Sequence, residues 1–487
     1  MASTDIEFYE IPSGLRKPGK YFEFNTRLAV RTLPGNTQQV VMLAPMLDTG
    51  TATPLTAVSV YSDEQAATLF GRGSVGHLMA TAAIGANSYL SLQMVGIEDS
   101  ATATPAATFI EVTGTATAAG TLKIRIGNQQ VSVTVSSGDS ASDVISSVVT
   151  AVKESSDLPV TISVSSGPPG DDDDGEDTDS AKAQLRSRHA GSIGNDIVLS
   201  AEVTASGLTV AVATMSGGAG EIDTAPALAA MFAAGHNIIV SPLTTQDALI
   251  SLRSHLNQTA APLEQRGALG VGAWTGSLAT GTTLTGAINS GRITLAWYPG
   301  SAMLPAEIAA AYAAVIASET DPARPLNTLV LSTLDVVAAE SRTGRNEQES
   351  ALHNGLTPLE VGSGESVQIV RAISTYTKNA EGIDDVSMLD ITTIRTLDYV
   401  RKACRERIVL RFPRDKLSSK TPARVRSELI DVLYRLEDLE IVENVADNLA
   451  GLIVERDGQD VNQLNAVIPV DIVNGLHIFA GRIDLIL

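Results

Sequence analysis

NIIVSPLTTQDALISLRSHLNQTAAPLEQRGALGVGAW, residues 237–274, is the stretch that decides the fold of this chain. The apolar run NIIVS is followed by QDALISLRSHL, whose apolar residues recur at helical spacing, and then by the apolar run ALGVGAW. The alternation continues with ITLAWYP at 293–299, an alanine-rich helix after Pro305, and LNTLVLS at 326–332. Strands that alternate with helices predict an α/β layer with a largely parallel sheet, which we assign to residues 221–383.

Upstream of this layer, the chain predicts the first part of a core and then an insertion. The run QQVVMLAPML at 38–47 predicts a buried strand, residues 57–61 predict another, and Ser62 begins a helix, so we assign 25–100 to the core. Residues 101–220 predict an inserted β-rich domain, because LKIRI and VSVTV are joined through the hairpin signal Gly127-Asn128. The glycine-rich run SGGAG, 216–220, indicates its exit linker.

Downstream of the layer, residues 384–470 predict a C-terminal core domain with two long amphipathic helices followed by short strands. The apolar stripe of the first predicted helix contains Ile394, Leu397, Val400, Cys404 and Ile408, and that of the second contains Val425, Leu429, Leu433 and Leu436. Thr421 and Pro422 begin the second helix.

The two ends of the chain are predicted to be arms, residues 1–24 and 471–487. The first carries too few apolar residues to bury a core of its own. The last twelve residues, LHIFAGRIDLIL, alternate apolar and polar positions, which predicts a strand that is either an edge of its own sheet or a donor to a neighbouring subunit. The expected fold class is therefore α/β and α+β multidomain, with an inserted β-rich domain and extended N- and C-terminal arms.

Composition excludes several classes of function. The 487 residues carry 34 Lys and Arg against 55 Asp and Glu, a net charge of −21, which disfavours general affinity for nucleic acid or anionic lipid. Cys404 is the single cysteine, so no internal disulfide can form and a reducing compartment is expected. The N-terminus lacks a signal-peptide pattern and no stretch is long and apolar enough for a membrane span, so we expect a cytoplasmic chain.

Two glycine motifs resemble nucleotide-binding loops, and neither has the right context. GLRKPGK at 14–20 has P-loop spacing, but Tyr21 replaces the magnesium-binding hydroxyl and Pro18 removes a backbone N–H. Gly71-x-Gly73-x-x-Gly76, with Glu98 and Asp99 about twenty residues later, matches a dinucleotide fingerprint, yet the preceding AATLF predicts a helix where the fingerprint needs a strand. The structural interpretations are an extended arm for the first motif and a helix-to-helix turn for the second.

Metal and nucleophile chemistry is weakly supported. The run DDDDGEDTD at 171–179 lacks the ligand spacing of a calcium loop, so a solvated acidic loop is favoured over loose divalent binding. The six histidines have no second ligand at helical spacing, and Cys404 lies in an apolar stripe that indicates a buried core thiol. No metal, no cofactor and no catalysis are expected.

Positive charge is concentrated near the C-terminus. Residues 401–426 contain ten Lys and Arg against two acids, net +8, whereas residues 427–460 contain ten acids against two Arg, net −8. The stripe of the first helix leaves Arg395 and Lys402 on a different face, which is expected to point outward. Such a basic face is either simply solvated or steers the chain onto an acidic protein surface.

The same segments resemble the contractile phage tail sheath family, and most closely its Mu-like members. IPSGLRKPGKYFEFN (11–25) is similar to the family's N-terminal arm, and FGRGS followed by LMATAAIGAN is similar to its glycine-rich turn and helix. The stretches at 119–164 and 188–199 resemble its variable β-rich domain, while LHNGLTPLEV and VQIVRAISTY resemble its core. The acidic run at 171–179 departs from the family pattern.

The resemblance implies a structural protein and not an enzyme: six subunits per ring, rings stacked as a helix around a tail tube, and contraction that drives the tube through the host envelope. It implies homo-oligomers, a tube protein, baseplate and tail terminator proteins as partners, assembly in the host cytoplasm, and neither nucleic acid binding nor membrane insertion. The residues implied to face the acidic tube are Arg395, Arg401, Lys402, Arg405, Arg424 and Arg426. Those implied to build the inter-subunit arms are Ile6, Phe8, Ile11, Tyr21, Phe479, Ile483 and Leu485.

Two alternatives stay open at this point. The first is a nucleotide- or small-molecule-binding α/β enzyme that uses the ends of the strands near Ser241, Trp274 and Pro299. The second is a β-rich adhesin-like binding module built on residues 101–220.

Overall fold

An eight-stranded sheet organises most of the chain in the computed structural model, which describes Lys17 and residues 19–20, 33–165 and 180–486. The described helices are α1 (Asp63–Phe70), α2 (Val75–Ala86), α3 (Ala141–Glu154), α4 (Ala225–Ala230), α5 (Gln246–Ala260), α6 (Leu278–Ile288), α7 (Pro305–Ser318), α8 (Arg345–His353), α9 (Ile391–Arg411), α10 (Thr421–Asp438) and α11 (Val445–Asn448). The strands of the first half are β1 (Gln39–Pro45), β2 (Ala57–Ser59), β3 (Ser91–Ile97), β4 (Pro105–Gly114), β5 (Gly120–Ile126), β6 (Gln129–Val135), β7 (Val160–Ser165), β8 (Ser180–Ala190), β9 (Leu199–Val203) and β10 (Leu208–Val212). Those of the second half are β11 (Ile238–Val240), β12 (Leu269–Trp274), β13 (Ile293–Trp297), β14 (Thr357–Val361), β15 (Val367–Ile369), β16 (Val442–Glu443), β17 (Ile453–Arg456), β18 (Leu464–Val467) and β19 (Asp471–Ile472).

The described residues fall into two compact units. Among the described residues, the sheet unit comprises those within Asn36–Tyr399 and from Ile472 to Ile486, and the helical unit comprises Val400–Asp471 with the described residues up to Gly35. This division differs from the predicted boundaries at 384 and 470, which remain predictions.

The sheet of the sheet unit has the order β15-β14-β13-β12-β11-β1-β3-β2. The inner neighbours run parallel, and β2 and β15 pair antiparallel at the edges. Its inner strand β1, third from one edge, is fully buried from Val40 to Ala44, which fits the continuous apolar run expected of a parallel strand covered on both faces. The predicted α/β layer with a largely parallel sheet is therefore confirmed.

Helix α7 lies on this sheet, against β12 and β13, and also contacts α2. Its sequence PAEIAAAYAAVIAS begins with the predicted Pro305, and its side chains are buried from Pro305 to Ala317. Alanine has no side chain beyond Cβ, so two layers can approach this helix closely. A helix that is apolar all round is a buried helix.

One predicted strand, LNTLVLS at 326–332, is wrong. Thr328 has a φ of +63°, which interrupts an extended run, and Val330 makes only an isolated bridge to Gln368. The sheet instead continues through β14 and β15.

Strands between residues 105 and 212 form two antiparallel sheets, ordered β10-β4-β8-β7 and β6-β5-β9. The hairpin predicted at Gly127-Asn128 joins β5 to β6, and Gly127 has the positive φ that such a turn needs. The predicted exit linker at 216–220 is held by bridges of Ser216 to Ala107 and of Ala219 to Thr104. The chain therefore enters and leaves these sheets at one place.

Candidate functional site

The glycine fingerprint forms the turn between α1 and α2, as the structural interpretation predicted. Gly71 and Gly73 have φ values of +88° and +77°, and Ser74 caps α2. The Gly73 N–H donates to Nδ1 of His77 at 3.2 Å, and the Val75 N–H donates to Nε2 of His189 at 3.0 Å. A phosphate would need these N–H groups, and the protein itself already uses them.

The acid that the fingerprint would place on a ribose is also bound internally. Asp99 Oδ1 lies 2.8 Å from Nδ1 of His189, and Asp99 Oδ2 accepts from the Ala190 N–H at 2.7 Å. The pair Asp99–His189 therefore ties β8 to the N-terminus of α2. The glycine fingerprint therefore has a structural role, as the turn that connects α1 to α2.

The side chains at the strand ends of the sheet unit make hydrogen bonds within the chain. Ser241 Oγ donates to the Leu243 carbonyl at 2.7 Å, and Trp274 Nε1 donates to the Ser277 carbonyl at 3.0 Å. The cavity beside Tyr298 and Pro299 measures about 220 Å³, whereas ligand pockets generally exceed about 300 Å³. Ser241 and Trp274, two of the residues that the enzyme alternative would use, are therefore already engaged in hydrogen bonds within the chain.

Metal-ligating clusters of three or more His, Cys, Asp or Glu do not occur within residues 33–165 and 180–486. The acidic run at 171–179 lies outside the described residues. Cys404 is buried, and burial raises the pKa of its thiol to about 11, so the group is a neutral core thiol at physiological pH. Among the helices that the structure describes, none has the length and apolar character needed to cross a bilayer.

The predicted basic residues differ in their surroundings. Arg405 and Arg424 are exposed, whereas Arg401, Lys402 and Arg426 are half-buried. Lys402 Nζ donates to the Gly35 carbonyl at 2.8 Å, and Arg426 donates from Nε and Nη2 to the carbonyls of Leu452 and Leu449, both at 2.9 Å. Arg424 pairs with Asp415 at 3.0 Å and stacks over the Phe412 ring at 5.4 Å.

The prediction that Arg395 points outward is wrong. Its side chain is 9% exposed, and Nη2 donates to the Glu319 carbonyl at 2.5 Å, just after the C-terminus of α7. Burial lowers the pKa of Arg395 to about 10, which Glu319 and Asp321 partly oppose. A periodicity argument places residues on helix faces but does not show which face another helix covers.

Sequence reasoning also missed an ion-pair cluster between α9 and α10. The Arg407 side chain is 4% exposed and its Nη1 lies 3.1 Å from Glu428 and 2.6 Å from Asp431, which in turn pairs with Arg435 at 3.0 Å. The sequence did contain a signal for these ion pairs, because residues 401–426, with a net charge of +8, are followed directly by residues 427–460, with a net charge of −8. Part of the basic charge therefore holds two helices together and does not face a partner.

The C-terminal segment is exposed from Ile478 to Ile486. No strand is assigned within the described residues 473–486, so the segment is not an edge of its own sheet there. Phe479, Ile483 and Leu485 are 88%, 99% and 83% exposed. The N-terminal arm residues Ile6, Phe8, Ile11 and Tyr21 lie outside the described residues.

An open apolar groove of about 450 Å³ lies within the helical unit. It runs between α9, α10 and β18 and is lined by Ile408, Val409, Phe412, Leu464 and Ala466, among others. An exposed apolar segment and an open apolar groove are features of a chain that binds other protein chains.

Comparison with known proteins defines the family. Residues 217–375 match the phage tail sheath protein central domain, and residues 384–486 match the phage tail sheath C-terminal domain. The chain is 33% identical to the Mu-like prophage FluMu tail sheath protein of Haemophilus influenzae, over 99% of this chain and 100% of that protein. It therefore belongs to the phage tail sheath family, as the resemblance indicated, and is a structural component of a phage tail.

Two solved structures share the fold. The sheath tail protein of Desulfitobacterium hafniense has a TM-score of 0.51 at 15% identity, covering 94% of this chain and 97% of that one. The sheath tail protein of Listeria innocua has a TM-score of 0.51 at 14% identity, covering 92% and 94%.

Proposed function

We propose that this chain is the subunit of a contractile tail sheath, in which hexameric rings stack helically around the tail tube and contraction drives the tube through the host envelope during genome delivery. The observation that carries the proposal is the exposed apolar C-terminal segment, 478–486, together with family membership. Apolar side chains left in water favour burial against a partner. A contact that joins different surfaces of identical subunits and does not close yields a helical filament, as a sheath requires.

The arms connect the subunits in this proposal. A segment with free backbone N–H and C=O groups can add a strand to a neighbour's sheet, which keeps backbone hydrogen bonds while subunits move. The acceptor is the helical unit of a second copy, where β17 and β18 form a hairpin beside the apolar groove. For the N-terminal arm, including Ile6, Phe8, Ile11 and Tyr21, the proposal rests on the sequence.

The basic residues Arg401, Lys402, Arg405, Arg424 and Arg426 contact an acidic tube surface in this proposal. The exposed Arg405 and Arg424 support it best, and the buried Arg395 is left out. Long-range attraction between opposite charges steers association more than it adds affinity. The extended sheath is then a metastable state, held on the tube by weak charged contacts until contraction buries more surface between subunits.

The remaining parts of the proposal concern partners and place. The sheath assembles in the host cytoplasm with the tube, baseplate and tail terminator proteins, and it performs no catalysis and needs no cofactor. It binds no nucleic acid and inserts into no membrane.

Electron microscopy of the purified protein tests the assembly. We expect rings or cylinders from the full chain, and folded monomers without tube growth when residues 1–20 are deleted. Monodisperse small particles whose melting responds to a nucleotide would favour the enzyme alternative. Loss of folding in the deletion variant would contradict the assignment of an arm.

Neutralisation of charge tests the tube contact. The triple variant R401Q/K402Q/R405Q should make extended tails contract or dissociate at lower salt or denaturant than the wild type. A matched variant, K123Q/R125Q/K153Q, removes three exposed charges between residues 105 and 212 and should behave as the wild type. Equal stability of both variants would overturn the electrostatic part of the proposal.

A further inference from the structure

The place where the C-terminal segment leaves the sheet unit is defined by one histidine. Along 473–477 the residues alternate between half-buried and exposed, with Gly475 and His477 facing the protein. From Ile478 to Ile486 every residue is exposed. His477 is therefore the last residue of the segment that packs against its own unit.

The His477 side chain is 12% exposed and lies between two polar groups. Its Nδ1 is 3.0 Å from Asn327 Nδ2 and 3.2 Å from Asn327 Oδ1, and its Nε2 is 3.5 Å from Asp390 Oδ1. The Asn327 amide thus presents both a donor and an acceptor to Nδ1, so the contact persists whether that nitrogen carries a proton or not.

Asp390, one of the two residues that contact His477, is itself held in place by a neighbouring side chain. Arg371 donates from Nε and Nη2 to the two carboxylate oxygens of Asp390, both at 2.8 Å, and Asp390 immediately precedes α9. A bidentate pair of this kind sets the orientation of the carboxylate. Gly475 permits the close approach, because a Cβ there would lie 2.6 Å from Pro325 Cγ and 2.7 Å from His477 Nε2.

We propose that His477, held by Asn327 and Asp390, is a positioning residue that fixes the origin and direction of the C-terminal arm, so that residues 478–487 reach the next copy of this chain. The inference rests on the proposed function, because it requires that the arm binds a second copy. Ten extended residues span about 33 Å, enough to reach a neighbouring subunit. Fixing one end of such a segment raises its effective concentration at the acceptor and lowers the entropy lost on docking.

The test uses the full-length chain and measures the protein concentration at which tubes form, by light scattering and electron microscopy. We expect H477A and N327A each to raise this concentration about fivefold, the factor that corresponds to one hydrogen bond, with little change in melting temperature. H477N should restore assembly, because the asparagine amide takes the place of Nδ1 against Asn327. H353A removes an exposed histidine of α8 and should assemble as the wild type.

A truncation after His477 separates this inference from the proposed function. If the truncated chain forms no tubes but H477A and N327A assemble at the wild-type concentration, the anchor is wrong and the arm proposal stands. If the truncated chain forms tubes as the wild type does, the arm itself is wrong. Failure of H477N to improve on H477A would also overturn the hydrogen-bond basis of the anchor.

Discussion

Glu307 is a carboxylate buried in the first turn of α7. Its Oε2 accepts from the Leu304 N–H at 2.9 Å, and burial raises its pKa to about 7, with Asp335 acting in the same direction. The folded state therefore holds this proton more tightly than the unfolded state does. The resulting stabilisation is complete below pH about 4.5 and is lost as the pH rises through about 7.

We expect Glu307→Gln to stabilise the protein at pH 8 by about 1–3 kcal/mol, because it keeps the acceptor for Leu304 and removes a buried charge. The difference from the wild type should shrink towards pH 5, where Glu307 is protonated. Melting curves at both pH values measure it.

Glu347 provides a matched control for this substitution. Its Oε2 accepts from the Gly344 N–H at 2.8 Å in the first turn of α8, but the residue is exposed. Glu347→Gln should therefore change the melting temperature little at either pH. A gain at pH 8 as large as that of Glu307→Gln would show that burial is not the cause.

At the scale of elements, the turn between α1 and α2 shows why a glycine motif can mislead. Gly73 has a φ of +77°, and a Cβ there would lie 2.5 Å from the Leu158 carbonyl oxygen and 2.9 Å from Arg188 Nε. Only glycine permits such a close approach of this turn to Leu158, just before β7, and to Arg188 of β8. The spacing of glycines thus serves packing within the protein.

Gly73→Ala should destabilise the protein by about 2 kcal/mol or more, because the new methyl group meets backbone in a conformation that favours glycine. Gly286→Ala is the control: Gly286 lies in α6, and a Cβ added to it would have nothing within 4 Å, so we expect unchanged or slightly higher stability, by up to about 1 kcal/mol. Chemical denaturation of both variants measures the contrast. Equal effects would contradict the close approach at Gly73.

Helices α9 and α10 are held together by ion pairs between their side chains. Arg407 is almost fully buried beside Glu428 and Asp431, and a buried pair is costly to break because one charge is left without compensation. The basic segment therefore contains residues that join α9 to α10, residues such as Lys402 and Arg426 that donate to backbone carbonyls of their own unit, and exposed residues such as Arg405 and Arg424.

On the scale of the whole molecule, the chain enters and leaves the sheets between 105 and 212 at one place. The entry and exit segments meet at the bridge of Thr104 and Ala219, and Asp99, close in sequence to that entry, contacts His189, as does Val75. Two chain ends that lie side by side can be joined by a short linker without strain.

We expect a variant with residues 105–217 replaced by a short glycine-serine linker to fold, with cooperative melting and native helical signal in circular dichroism. Its melting temperature should fall by several degrees, because Val75 N–H loses its acceptor and Asp99 loses its donors. An insoluble or unfolded product would contradict the predicted insertion at 101–220.

Much of the fold follows from the sequence. Continuous apolar runs such as the one at 38–47 and the strand-helix alternation after residue 237 require a covered parallel sheet, since such strands are stable only when both faces are buried. The failure at 326–332 has a local cause, because the positive φ of Thr328 depends on neighbours that no pattern of apolar residues encodes.

The surfaces proposed to bind other protein chains were harder to predict from the sequence than the fold was. Net charge, the basic segment and the alternating apolar terminus follow from the amino acids alone, and they indicated a protein that binds protein. Only the tertiary structure decided that Arg395 is buried against the Glu319 carbonyl, that Arg407 pairs with an acid of the next helix, that His189 accepts the Val75 N–H beside the glycine turn and that His477 packs against Asn327. The physical reason is that composition and periodicity are properties of one segment, whereas burial and ion pairing depend on what a distant segment places against it.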